Sequence, residues 1–226
     1  MARVPYPERM QSSVSGPSPR RLPRGRHALS RAEVERVHRD RLCAAMAAAM
    51  AEKGYVGTSV EDVLKRARVS RQSFYGLFSS KLDCFMAAFG KASELLSRRL
   101  EVAVGTSEGG QGDPAARFES VVTAYLEALA SEPGYARLFL VEVYAAGPEA
   151  IRQRSEIQRA LAEALAGLMG VTGAEGEFAC QVIVGAVSSM VTPAIAAGDM
   201  EALRAIGPPI IEHVRLLLRS GALDAR

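Results

Sequence analysis

The segment Thr58–Lys81, TSVEDVLKRARVSRQSFYGLFSSK, constrains the fold more than any other part of the chain. Thr58 followed by Glu61 fits a capping box, in which the two residues satisfy each other's backbone N–H groups at a helix start. Apolar residues then recur at helical spacing as far as Ala67. Ser70 is a residue type suited to cap a second helix. The pattern predicts two short helices joined by a tight turn.

The second of these helices has two unlike faces. Phe74 and Phe78 lie four residues apart, which places both on one side and predicts that they are core residues. The remaining side chains are polar or amphipathic: Arg71, Gln72, Ser73 and Tyr75. A helix-turn-helix module places such a second helix in the major groove of DNA. The simpler alternative is a solvated helix face without a partner.

The run resembles the DNA-binding domain of the tetracycline-repressor (TetR) family from about Leu42 to Phe89. The resemblance is carried by T-S-V-E-D-V, V-S-R-Q-S-F-Y and F-S-S-K, followed by a long helix. Two positions depart from the family pattern. Arg68 stands where the family often has Gly in the turn, and Leu77 stands where it often has a phosphate-contacting His or Tyr.

The resemblance implies a role in DNA binding for particular residues. The positions that face bases and backbone in the recognition helix are Arg71, Gln72, Ser73 and Tyr75, and those that contact phosphates are Thr58, Ser70 and Lys81. Arginine pairs well with guanine and glutamine with adenine in the major groove. Hydroxyl groups, helix N-terminal amides and a lysine are suited to phosphate oxygens.

The charge is distributed unevenly along the chain. The net charge is +3, but residues 1–90 hold 16 Lys and Arg against 8 Asp and Glu, and the remainder is acidic. This asymmetry favours a nucleic-acid-binding unit joined to a part that does not touch nucleic acid. Residues 1–28 are rich in Pro and Arg and are expected to be a disordered basic arm. Arg24 and Arg26 are expected to reach DNA, although a solubilising tail is an equally open alternative.

The whole chain is predicted to be all-α, because no strand pattern occurs. Residues 29–90 are expected to form a three-helix helix-turn-helix domain, and residues 91–226 a helical ligand-binding and dimerisation domain. One long helix from Lys81 to about Ala103 is expected to join them. Tyr135–Ala146 is expected to be one short helix, buried nearly all round.

The segment Glu177–Ala197 is nearly all apolar or small and must be buried. The resemblance implies that it forms a homodimer interface with the last helix, as part of a four-helix bundle. Burial within the subunit is the alternative. No apolar run reaches the roughly 18 residues of a spanning helix, and no secretory signal is recognised, so a cytoplasmic, nucleoid-associated protein is expected.

Ligand and catalytic chemistry are weakly marked. Five side chains among the middle helices are candidates for lining an apolar effector cavity, with plain core residues as the alternative: Phe89, Tyr125, Phe139, Tyr144 and Met169. Because few charged residues are expected to point inward, a mostly apolar effector is favoured. We expect no catalytic residues, no metal and no cofactor, since no motif for them occurs and the three histidines are scattered. Cys43, Cys84 and Cys180 are expected to be buried, reduced thiols.

These observations predict a ligand-responsive transcriptional regulator. We expect a repressor that binds a palindromic operator as a homodimer and is released by a small effector. The alternative is a regulator or architectural DNA-binding protein without a small-molecule effector. A third possibility, an all-α enzyme, has no motif to support it.

Overall fold

The computed structural model describes residues 30–106, 113–221 and 223, and the regular structure in these ranges is entirely helical. The N-terminal helices are α1 (Arg31–Gly57), α2 (Val60–Ala67), α3 (Arg71–Tyr75) and α4 (Lys81–Thr106). They are followed by α5 (Pro114–Ser131), α6 (Pro133–Arg137), a π-helical turn (Leu138–Glu142) and α7 (Val143–Ala146). The last helices are α8 (Pro148–Met169), α9 (Ala174–Ala197), α10 (Met200–Ala205) and α11 (Gly207–Arg219). The predicted all-α fold is confirmed.

Helix α1 starts and stops at the signals in its sequence. The Ser30 side chain accepts from the Glu33 N–H, and the Glu33 carboxylate accepts from the Ser30 N–H, which completes a capping box. Near the other end, Gly54 has a φ of 67° and breaks the helical path. Only glycine enters this region of φ without a steric cost, so the chain turns there towards α2.

The cap of α2 lies one residue later than predicted. Ser59, not Thr58, forms the capping box, and its partner is Asp62 rather than Glu61. The Thr58 hydroxyl instead donates to the Gly54 carbonyl oxygen at 2.7 Å. The break at Gly54 leaves this carbonyl without a helical partner, and Thr58 satisfies it.

Helix α4 is continuous from Lys81 to Thr106 and therefore crosses the predicted domain boundary at residue 90 without a break. The buried apolar side chains of both halves also form one hydrophobic cluster, from Leu42 in α1 to Val214 in α11. The boundary itself stays a prediction. Asp113 caps α5, and Pro114 occupies its first position, where the missing N–H of proline costs no helical hydrogen bond.

The segment expected to be one buried helix over Tyr135–Ala146 is divided into three. The π-helical turn Leu138–Glu142 separates α6 from α7 and contains the buried carboxylate of Glu142. Tyr144, just beyond it, is 55% exposed, so the segment is not buried all round. The wider turn changes the direction in which successive side chains point, which the apolar composition did not reveal.

The C-terminal part contains the short helix α10, followed by α11, which begins at Gly207 with prolines in its first turn. Helix α9 is long and apolar enough to cross a membrane by length and composition, contrary to the expectation that no such segment exists. One helix of this kind is weak evidence for a membrane span. Only a third of its most apolar window is buried within the subunit.

Candidate DNA-binding surface and effector cavity

The turn between α2 and α3 fixes the orientation of the candidate recognition helix. Arg68 ends α2 in the left-handed conformation, with φ 54° and ψ 46°. Val69 is buried behind this turn. The Ser70 hydroxyl then accepts from the Ser73 N–H at 3.0 Å and caps α3. Phe74, on the inner side of α3, is fully buried, as predicted for the core.

The outer side of α3 presents the predicted reading residues together. Arg71, Gln72 and Tyr75 are exposed on this short helix. Ser73 is half-buried, and its hydroxyl lies 2.9 Å from that of Ser70. We call the exposed set Arg71, Gln72 and Tyr75 the recognition face. This face combines a cation, an amide and a phenol, which are groups that donate to base edges and phosphates.

Arg71 does not extend freely into solvent. Its guanidinium lies 3.1 Å from the carboxylate of Glu61 on α2, which also pairs with Lys65 at 3.8 Å. Exposed ion pairs of this kind contribute only about 0.2–1 kcal/mol. Arg71 can therefore exchange this partner for a DNA base at little cost.

Other residues predicted to touch DNA do not lie on this face. Thr58 is 2% exposed, and its side chain is engaged with α1, so this placement does not support a phosphate contact through its hydroxyl. Lys81 donates to the carbonyl oxygens of Tyr55 and Thr58 at 2.9 and 3.0 Å and lies over the Tyr55 ring. Lys81 thus joins the end of α1 to the start of α4. Arg24 and Arg26 lie outside the described residues, and the basic arm stays a prediction.

A small cavity of about 90 Å³ lies among α5, α8, α9 and the π-helical turn. Its walls are almost entirely apolar, and Ser188 and Gln158 supply polar groups. Of the five predicted ligand-binding residues, Tyr125 and Phe139 line this cavity. Phe89 lies behind Phe139, with the two rings stacked 4.7 Å apart. Burial raises the pKa of the Tyr125 hydroxyl, which stays protonated and able to donate.

The other two predicted ligand-binding residues do not line the cavity. Met169 is buried in the core at the end of α8. Tyr144 is exposed, and its ring lies over the guanidinium of Arg154, with 5.2 Å between the ring centre and the guanidinium carbon. The prediction for this pair therefore does not match the geometry of the cavity.

Sequence reasoning missed Arg154, a buried cation whose hydrogen-bond partner Ser188 lines the cavity. It is 8% exposed and donates to the Ser188 hydroxyl at 2.8 Å and to the Tyr144 hydroxyl. Its spacing in the sequence is a signal for burial, because Arg154 precedes Ile157 by three residues and Leu161 by seven and so lies on their apolar stripe.

A chain of polar contacts connects the C-terminal helices to the DNA-binding part. The Arg137 guanidinium donates to the Ala196 carbonyl oxygen in α9 at 2.8 Å and to the Glu142 carboxylate at 3.1 Å. The other Glu142 oxygen accepts from the Tyr55 N–H at 2.7 Å. We call this path the Arg137–Glu142 bridge. The same turn that supplies Glu142 also supplies Phe139 to the cavity.

An apolar groove runs along the outer side of α9 and α11. Its volume is about 510 Å³. Phe178 and Val182 in α9 are 65% and 52% exposed in it, and Met190 follows two turns later on the same helix. Exposed apolar surface of this extent is typical of a protein–protein interface.

No group of three or more His, Cys, Asp or Glu side chains suited to a metal ion occurs within residues 30–106 and 113–221. The three cysteines are free and buried, as predicted. Burial raises the pKa of the Cys43 thiol to about 11.

Comparisons with known proteins agree with this geometry. Residues 42–88 match the family model described as bacterial regulatory proteins, tetR family. A search of curated proteins found no match. Among solved structures, a TetR-family transcriptional regulator from Pectobacterium atrosepticum has 25% identity and a TM-score of 0.60, covering 88% of this chain and all of that one.

Two further structures share the fold at lower identity. FadR from Bacillus subtilis, in complex with stearoyl-CoA, has 20% identity and a TM-score of 0.65, covering 76% of this chain and 95% of that one. A transcriptional regulator from Rhodococcus sp. Rha1 has 24% identity and a TM-score of 0.57, covering 77% of this chain and 90% of that one. Together with the helix-turn-helix geometry at residues 60–75, these matches show that residues 42–88 form a DNA-binding domain of the tetR-family type, in a chain whose fold is similar to that of TetR-family transcriptional regulators.

Proposed function

We propose that this regulator is a homodimeric repressor, which binds a palindromic operator and is released by a small, mostly apolar effector. The observation that carries the proposal is the position of Phe139. Its side chain lines the cavity and stacks on Phe89 of α4, the helix that continues into the DNA-binding domain. A ligand in the cavity therefore meets a side chain that is in direct contact with the DNA-binding half.

DNA binding is assigned to the recognition face. The exposed Arg71, Gln72 and Tyr75 project from a helix that is anchored by a buried Phe74. The basic charge of residues 1–90 favours approach to the phosphate backbone. Arg71 reads a base after leaving Glu61, and Gln72 and Tyr75 add contacts to bases or phosphates.

Dimerisation is assigned to the groove between α9 and α11. A second copy of the chain would bury the exposed Phe178, Val182 and Met190 in a four-helix contact. The alternative, in which α9 is buried within one subunit, does not account for the exposure of these side chains. Two-fold symmetry would set the two recognition helices about 34 Å apart, one turn of DNA, which is the spacing of a palindromic operator.

Release by effector is assigned to two routes between the halves. One is the Phe139–Phe89 stack, and the other is the Arg137–Glu142 bridge to Tyr55. A ligand shifts the protein only if it binds one arrangement better than the other. A ligand that displaces Phe139 would change both routes, because Phe139 and Glu142 belong to the same π-helical turn. The recognition helices would then lose their match to the half-sites.

The test is binding to the DNA immediately upstream of the gene, measured by fluorescence anisotropy across a salt series. Wild-type protein is expected to bind tightly, with an affinity that falls steeply as salt rises. Arg71→Ala is expected to weaken binding by about 1–3 kcal/mol and to relax sequence preference. The matched control is Arg98→Ala, because Arg98 is an exposed arginine of α4, 61% exposed against 63% for Arg71, and also pairs with a glutamate.

The outcomes separate the alternatives. Equal losses from Arg71→Ala and Arg98→Ala would contradict the assignment of α3 as the reading helix. Salt-dependent binding without sequence preference would favour the architectural alternative. Operator affinity that no cavity-bound ligand alters would contradict the repressor-release mechanism and leave DNA binding intact.

A further inference from the structure

We infer that the effector carries an anionic group, such as a carboxylate, on its apolar body, and that Arg154 binds this group. The inference rests on the proposed ligand-responsive function and specifies the chemistry of its effector. It refines the expectation of a mostly apolar effector, because one charged side chain, Arg154, is buried among the helices of the second half.

The first step is the burial of Arg154 without a counter-ion. The guanidinium stays charged at any ordinary pH. Within the described ranges, no Asp or Glu oxygen lies within ion-pairing distance of it, although many exposed arginines of the chain have such partners. A buried charge normally has an opposite charge beside it, since desolvation is costly.

The second step is the nature of the groups that do contact Arg154. They are the hydroxyls of Tyr144 and Ser188 and the face of the Tyr144 ring, all of them neutral. The buried Nε atom of Arg154 has no hydrogen-bond partner. The guanidinium therefore has unsatisfied donor capacity and an unbalanced charge in the same place.

The third step is the position of this charge beside the cavity. Ser188, which accepts from Arg154 at 2.8 Å, is one of the residues that line the cavity. Tyr125 also lines the cavity. Burial raises the pKa of its hydroxyl, and the positive charge of Arg154 partly offsets this rise. A carboxylate at this end of the cavity could accept hydrogen bonds from the Arg154 guanidinium and from the hydroxyls of Ser188 and Tyr144. Its apolar part would lie among Phe118, Leu161 and Ile183.

A purely structural role is the competing explanation. Arg154 links α7, α8 and α9 through its two hydroxyl partners. That role does not require a charge, and it leaves Nε without a partner. It also predicts no preference among ligands that differ only in their head groups, which provides the basis for a test.

The test compares ligands of equal length by isothermal titration calorimetry. Octanoate is compared with octanol and octylamine, and benzoate with benzyl alcohol. The wild-type protein is expected to bind at least one carboxylate about tenfold or more tightly than its alcohol, since charge-assisted hydrogen bonds to arginine are strong. Arg154→Met is expected to abolish this preference and to leave alcohol binding unchanged. Arg152→Met is the matched control, because Arg152 is exposed on the same helix.

Arg154→Lys guards against a variant that fails to fold. It keeps the charge and loses the planar fork, so an intermediate preference for the carboxylate is expected. Circular dichroism and urea unfolding establish that each variant is folded. If neither carboxylate binds wild-type protein more tightly than its alcohol, or if Arg154→Met and Arg152→Met behave alike, the inference is wrong.

The proposed function can fail separately. Carboxylate binding through Arg154 without any change in operator affinity would support this site and contradict release by an effector. Release by octanol as readily as by octanoate would support the proposed function and contradict the role of Arg154.

Discussion

The carboxylate of Glu142 accepts a hydrogen bond from the backbone N–H of Tyr55 at 2.7 Å and so joins residues that are 87 positions apart in the chain. Glu142 is buried, and its second oxygen accepts from Arg137, which in turn holds α9. The Cβ that any residue other than glycine would have at position 54 would lie 3.0 Å from the same carboxylate. The end of α1 and the middle of the second half are thus closely fitted around one acid.

Glu142→Ala is therefore expected to lower the free energy of unfolding by about 1–3 kcal/mol, because it leaves Arg137 and the Tyr55 N–H without their acceptor. Glu142→Gln, which keeps an acceptor oxygen but gives up the charge, is expected to lose less. Urea unfolding followed by circular dichroism measures both. Glu163→Ala, an exposed position of α8, is the control and should change stability by no more than about 0.5 kcal/mol. Equal effects at positions 142 and 163 would contradict the importance of this contact.

Val182→Lys is expected to convert the proposed dimer into a monomer. The substitution places a charge in the apolar groove between α9 and α11, where a second copy would have to desolvate it. Sedimentation velocity at a series of protein concentrations measures the change. Val102→Lys, at an exposed position on α4, controls for the added charge and should leave the assembly as it is in the wild type. A wild-type protein that sediments as a monomer at every concentration would contradict the interface.

Arg68→Gly is expected to make the protein more stable than Arg68→Ala by about 1 kcal/mol. Both substitutions remove the same charged side chain, but only glycine adopts the positive φ of this turn without a steric cost. The difference in their free energies of unfolding, measured in urea, gives the steric cost of a positive φ at position 68. Equal stability of the two would show that position 68 leaves the left-handed conformation in solution.

The free energy of unfolding is expected to decrease as the pH is lowered, because Asp62 becomes protonated. The hydrogen bond from Lys53 and those from Ser59 hold the pKa of this carboxyl well below its ordinary value. A group with a depressed folded-state pKa stabilises the protein fully above its unfolded pKa, which is about 3.9 for Asp, and this contribution is lost as the pH falls below that value. Asp62→Asn should therefore lose stability at neutral pH and show a smaller further loss on acidification.

Urea unfolding at neutral pH and at an acidic pH below the ordinary Asp pKa measures this difference. Glu163→Gln serves as the control because no hydrogen bond or ion pair involves its side chain within the described residues. An Asp62→Asn variant that loses as much stability on acidification as the wild type would contradict the linkage.

The helix-turn-helix could be predicted from sequence because its determinants are local. The aromatic pair Phe74 and Phe78, the cap at Ser70 and the break at Gly54 act within a few residues of their own positions. The one-residue error at the α2 cap has a physical reason. Thr58 and Ser59 are both residue types that can cap a helix. The Thr58 hydroxyl is engaged by the Gly54 carbonyl oxygen, so Ser59 caps α2.

The second half was less predictable because its determinants are distant in sequence. Arg154 reads as a surface residue until Ser188 and Tyr144 are brought beside it from two other helices. The placement of Tyr125 and Phe139 at the cavity could be predicted, because large aromatic side chains on the apolar stripes of helices pack between those helices. The exposure of α9 was not visible either, because hydropathy does not distinguish a core within one subunit from a surface shared between two.

The π-helical turn at Leu138–Glu142 has a consequence for tolerated insertions and deletions. Residues three apart on an α-helix lie on neighbouring parts of one face. In the wider π-helical turn, Phe139 is directed to the cavity and Glu142 to Tyr55, in the opposite half of the molecule. Deleting a single residue between them would restore ordinary winding and change the angle between these two side chains. Relatives that differ in length at this turn would therefore be expected to differ in how their ligands are coupled to DNA, even where cavity and recognition helix are alike.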